Sequence, residues 1–122
     1  MAMWHLAEKA DWEAARATGR YERSTRGASV VDVGFVHCSY PEQLGDVVAA
    51  VYADVVDDFV VLELDREALE TGGTPVRDEP GDPSDPSSPL YPHVYGPIPV
   101  SAVAQVLPAH VDRGRLTVGE PI

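Results

Sequence analysis

Ser39-Tyr40-Pro41-Glu42-Gln43-Leu44-Gly45-Asp46-Val47-Val48-Ala49-Ala50-Val51-Tyr52-Ala53-Asp54 and, after an acidic turn, Phe59-Val60-Val61-Leu62-Glu63-Leu64 decide how this chain folds. Ser39 followed by Glu42 is a capping-box pattern with Pro41 in the first turn, which predicts a helix start. Leu44, Val47, Val48, Val51, Tyr52 and Val55 then recur at spacings of three and four, one apolar stripe of a helix ending near Ala53 or Asp54. Asp54, Asp57 and Asp58 form the acidic turn. The short, β-branched run from Phe59 to Leu64 predicts a buried strand.

Working outward, residues 2–6 read as a first strand. Lys9 to Thr18 reads as a helix, with Ala10, Trp12, Ala14, Ala15 and Ala17 on it and Gly19 placed to cap its end. Tyr21 to Ser29 is polar and loop-like. Val30 to Val33 and Gly34 to His37 give a second extended segment. Asp65 to Glu70 reads as a helical turn closed by Gly72-Gly73, and Pro75 to Glu79 as a short edge strand. Asp78 to Pro89 carries Pro80, Pro83, Pro86 and Pro89 among Asp and Ser residues, a mobile loop by composition. Pro99 to Ala104 reads as one helical turn, with strands at Gln105 to Leu107 and Leu116 to Val118. The expectation is an α+β fold, residues 1–122 forming one domain with a central mixed or antiparallel sheet and two main helices.

Twenty acidic residues against nine basic ones give a formal charge of −11. That balance repels a phosphate backbone, so no nucleic-acid partner is expected. Arg16, Arg20, Arg23 and Arg26 read as a solvated face. No apolar run reaches the ~20 residues of a membrane span, and the N-terminus has no secretory pattern. Cys38 is the only cysteine, which suits a reducing compartment; the expected location is the cytoplasm. The oligomeric state is left open.

Three of the four histidines sit beside apolar or aromatic residues: Trp4-His5-Leu6, Gly34-Phe35-Val36-His37-Cys38-Ser39 and Pro92-His93-Val94-Tyr95-Gly96-Pro97. An imidazole carries two polar nitrogens that must be satisfied when buried. Three of them drawn from distant parts of one small domain point to a shared cleft. His5, His37, His93 and Tyr95 are the candidate catalytic residues, and Trp4, Phe35, Ser39, Tyr40 and Gly96 the candidate ligand contacts. His37 precedes a helix start, where the dipole favours the neutral imidazole and the free N–H groups suit an anion. Cys38 points to the opposite face from His37, so the two are no nucleophile–base dyad. No zinc-type spacing accompanies the histidines, and no metal is expected.

These motifs, with Ala10-Asp11-Trp12, Val61-Leu62-Glu63-Leu64-Asp65 and His93-Val94-Tyr95-Gly96-Pro97-Ile98, resemble in the same order a small bacterial family known as domain of unknown function 952. That family looks like a compact member of the ADP-ribosyltransferase-like superfamily, nearest the RNA 2′-phosphotransferases. The resemblance implies that His5 corresponds to the superfamily's first histidine, which hydrogen-bonds the nicotinamide ribose of NAD, and His37 to the histidine of the second strand. NAD is therefore the implied cofactor. The arginines that hold a 2′-phosphate have no match here: Cys38, Ser39, Tyr40 and Pro41 follow His37. For the late glutamate, only Glu63 and Glu79 offer themselves.

Three functions share these residues. The chain is an NAD- or ADP-ribose-type transferase or hydrolase acting on a small molecule; a non-catalytic small-molecule binding domain; or a repurposed biosynthetic lyase or cyclase with His93 or Tyr95 as acid or base.

Overall fold

The computed structural model describes residues 2–24 and 33–121. Its backbone is built around the run that begins at Phe59. The strand is longer than the apolar residues alone indicate: β4 covers Val56–Asp65, ten residues. Asp57 and Asp58 are thus strand residues, since an exposed strand end accepts charge. β4 lies between β1 (Ala2–Glu8) and β8 (Val103–Asp112), and β9 (Arg115–Val118) closes the order β1-β4-β8-β9. All pairings are antiparallel, which settles the mixed-or-antiparallel alternative.

Period-two alternation sends β4 into two cores. Val60, Leu62 and Leu64 face a cluster with Met3, Ala7, Trp12, Ala15 and Tyr21. Phe59 and Val61 face Leu6, Leu44, Val48, Tyr52, Leu107, Ala109 and Val111. The first core is roofed by α1 (Lys9–Thr18), which has the predicted bounds and ends on Gly19 in the left-handed conformation (φ 86°). The second is covered by α2 (Leu44–Val51), eight residues entered through a 3-10 turn at Pro41–Gln43. The predicted helix to Ala53 or Asp54 is therefore shorter.

The predicted cap at Ser39 is also corrected. The Tyr40 N–H donates to Gln43 Oε1 at 3.0 Å, and the Gln43 N–H donates to the Tyr40 carbonyl at 2.8 Å. Reciprocal capping occurs one residue later than the Ser39–Glu42 pattern suggests. Ser39 is instead tied to β1, its N–H and carbonyl exchanging bonds with Trp4 at 2.8 and 2.7 Å. A third helix, α3 (Arg66–Thr71), starts where Asp65 accepts from the Glu67 N–H.

A second sheet carries the histidines. Its order is β3-β6-β5, with β3 at Val36–His37, β5 at Val76–Pro80 and β6 at Leu90–Val94. β5 is the edge strand expected, and it runs on to Pro80, so the Pro/Asp/Ser loop spans 81–89 rather than 78–89. Asp82 and Asp85 each accept from the N–H two residues on, at 2.9 and 3.0 Å, so the loop is two successive Asx turns. β6 was not predicted, because Pro92 argues against a central strand. The Pro92 carbonyl still accepts from the Cys38 N–H at 3.0 Å, so the strand keeps this bond although proline has no N–H to return. The second extended segment shrinks to Val36–His37; Val33 is exposed and outside the strand, and Val30 to Asp32 lie outside the described residues. A two-stranded pair joins β2 (Arg20–Tyr21), placed in the expected polar loop, to β7 (Ile98–Pro99). The predicted turn after Pro99 is a 3-10 turn, Val100–Ala102.

Candidate functional site: a histidine-bearing sheet face

The small sheet has two faces of opposite character. Val36, Val76 and Val94 point inward and are buried in the first core. One residue out of phase, the other face carries His37 on β3 with Phe35 just before it, Tyr91 and His93 on β6 with Tyr95 just after it, and Arg77 and Glu79 on β5. His37 and His93 are directly opposed in the register, and Glu79 lies diagonally from His93. Cross-strand neighbours on one face are close enough for side chains to bond.

They do so in a chain. His93 Nδ1 is 3.0 Å from Glu79 Oε1, and His93 Nε2 is 3.2 Å from His37 Nδ1. A carboxylate only accepts, so His93 Nδ1 carries the proton and donates. A neutral His37 has one ring proton; donated from Nδ1 to His93 Nε2, it leaves His37 Nε2 with a bare lone pair. The Tyr95 hydroxyl donates to the same Glu79 oxygen in a short bond. These donors, Tyr95 first, hold the Glu79 carboxyl below its ordinary range. His93 is buried because Phe35 stacks on it, centroids 4.1 Å apart and planes 15° from parallel. His37 is only half-buried, with the Tyr91 ring 5.1 Å away. Burial, reinforced by His93 and His5, brings the His37 imidazole down to about 4, so it is neutral at physiological pH.

His5 belongs to the other side of β3. It is 2% exposed. Its Nδ1–H donates to the His37 carbonyl at 2.7 Å, and its Nε2 accepts from the Tyr21 hydroxyl at 2.9 Å. Both nitrogens are used within the protein, and burial lowers its pKa to about 4. His5 therefore positions the His37 backbone, whose N–H is held by Ser24 Oγ at 3.2 Å.

The three imidazoles do cluster, and the space that His5 and His37 share is a small void rather than the open cleft expected. The void bordered by His5, His37, Ser39 and Tyr52 measures about 10 Å³, room for one water. His37 and the Tyr91 ring are the parts of this centre that reach the surface.

The remaining candidates separate. Trp4 Nε1 donates to Glu63 Oε1 at 3.1 Å, which places Glu63 on the main sheet, while Glu79 is the acid at the histidines. The Ser39 hydroxyl is 1% exposed, borders the small void and has no partner within the protein. Tyr40 donates to Asp78 Oδ1 at 2.6 Å and accepts from Arg66 at 3.0 Å, a clamp between β5 and α3. Gly96 needs its glycine for conformation (φ 148°), since an added Cβ would meet only Thr74 Cγ2 at 3.6 Å. Cys38 is buried and its thiol is pushed up by burial. The helix start offers an anion little, because Glu42 and Asp46 occupy its first turns. Tyr21 and Tyr91 escaped the sequence reading. The alternation Arg77-Asp78-Glu79 was the available signal that Arg77 and Glu79 share a face.

No curated protein matches the chain. Among solved structures, the Caulobacter crescentus protein CC0527 is similar over 96% of this chain and 94% of its own, with a TM-score of 0.74 and 25% identity. A double mutant of CC0527 gives the same TM-score at 24% identity. Residues 6–106 match the family described as "Protein of unknown function (DUF952)", and the chain belongs to that family.

Proposed function

We propose that the domain binds a small ribose-containing nucleotide of the NAD or ADP-ribose class at the outer face of the small sheet. The observation that carries this reading is the free Nε2 of a neutral, half-buried His37, backed through His93 by Glu79. Such a nitrogen accepts a hydrogen bond from a sugar hydroxyl, and the polarised chain behind it strengthens the acceptance. Tyr91 offers a ring beside it for a base or sugar. Arg77, whose guanidinium lies 5.2 Å from the Tyr95 ring centre, supplies positive charge for a phosphate. The resemblance to ADP-ribosyltransferase-like proteins supports the ligand class, and the −11 charge weighs against a polynucleotide. Calorimetry with ADP-ribose and NAD tests it. Binding should appear at or below millimolar ligand and weaken about tenfold in His37→Ala, the worth of one hydrogen bond. Absence of heat at millimolar ligand refutes it.

The Glu79–His93–His37 chain also favours a second reading, in which the bound nucleotide is hydrolysed or transferred with His37 Nε2 as general base. A basicity near 4 makes that base weak, so the binding reading comes first. Release of nicotinamide from NAD, followed by chromatography and lost in His37→Ala, distinguishes the two.

A further inference from the structure

A sizeable cleft lies away from the histidines. α1 packs on β1 and β4, and a trough opens between it and the start of β8. Val60 and Val106 form the floor of the resulting trough, Trp12 one side, and Val100 and Val103 one end. Its volume is about 650 Å³, within the range of sites that hold small molecules. The floor is apolar because Val106, opposite Leu62 in the register, shares a face with Val60.

Two cations and one acid line the trough. Lys9, Glu13 and Arg16 follow one another along α1 above the trough. Glu13 pairs with Arg16 at 3.4 Å. Asp58, the acid that also feels Lys9, is paired with His110 at 2.8 Å. Lys9 is the only lysine in a chain of charge −11, and among the described residues it has no ion-pair partner within 4.0 Å. An unpaired cation beside an apolar lining is complementary to one kind of molecule. We propose that the trough binds a small anionic amphiphile, its apolar body on Trp12, Val60 and Val106 and its single carboxylate at the Lys9 ammonium.

One lysine makes the test direct. Reductive methylation with carbon-13 keeps the charge and labels Lys9 and the amino terminus alone. Decanoate, titrated below its micelle concentration, should shift the Lys9 signal and bind more tightly than 1-decanol. Lys9→Gln should weaken decanoate about three- to fivefold, the scale of one exposed ion pair, while leaving decanol unchanged. Val106→Asp should weaken both. Equal binding of decanoate and decanol by the unaltered protein, or binding of neither, overturns the proposal. ADP-ribose binding measured on Lys9→Gln stays as in the parent, so failure here and failure at His37 are separate results.

Discussion

His37 and His93 stand opposite one another across β3 and β6, with Nδ1 of the first 3.2 Å from Nε2 of the second. Because Glu79 fixes the proton on His93 Nδ1, the tautomers of both rings follow from one carboxylate. Glu79→Gln replaces an acceptor-only group by an amide that can also donate. Nitrogen-15 spectra of the imidazoles should then show a changed tautomer population at His93, and at His37 in turn, with the fold retained. Identical tautomers in parent and variant would show that the chain is not set by Glu79.

His5→Ala should be costly through the protein's own contacts alone. It deletes a buried ring with two hydrogen bonds and leaves the Tyr21 hydroxyl and the His37 carbonyl without partners. A loss of about 2–4 kcal/mol in urea unfolding is expected, from stranded polar groups and a cavity. His5→Gln should recover part of it. A loss below about 1 kcal/mol would show that the site relaxes.

Acid should destabilise the fold before the carboxylates titrate. His5 and His37 both fall from 6.5 to about 4 on folding. Between those values the unfolded chain binds more protons, so stability falls with falling pH. Their contribution is complete above 6.5 and gone below about 4. For buried His5 the full swing is of the order of 3 kcal/mol; half-buried His37 contributes less. The urea midpoint should drop steadily from pH 7.5 to 4.5 and drop less in His5→Gln. A flat midpoint over that interval contradicts the assignment.

Gly81→Ala tests how Tyr91 reaches His37. A Cβ at residue 81 would lie 2.7 Å from Tyr91 Cε2 and 2.8 Å from Cδ2, so the ring must move. The His37 ring protons should lose the ring-current shift that Tyr91 gives them. Stability should fall by about 1–3 kcal/mol, the usual cost of overpacking. Removing the ring as well, in the double variant Gly81→Ala with Tyr91→Ala, should cost less than the sum of the single changes.

How far these relationships could be read in advance depended on the span of the signal. α1 has its predicted bounds because Gly19 marks its end locally, and β4 was visible in its β-branched run. β6 was hidden by Pro92, whose place in the strand is a fact of tertiary pairing. The gathering of His5, His37 and His93 followed from their unusual surroundings. Their division of labour did not, because Tyr21, the partner of His5, comes from a segment with no apolar period. Ser39 carried a sound local cap pattern and was taken instead by a long-range pairing with Trp4.

That pairing bears on how the molecule opens. The Trp4–Ser39 exchange and the His5–His37 bond are the hydrogen bonds that fasten β1 to the β3 strand and its continuation. The seam is a short bridge, whereas β1 pairs with β4 along its whole length from Ala2 to Glu8, so opening the seam should be the cheaper event. In native-state deuterium exchange the Trp4 and Ser39 amides should therefore be released together, ahead of the central β4 amides, as one cooperative fluctuation that lifts the histidine sheet while the four-stranded sheet stays closed.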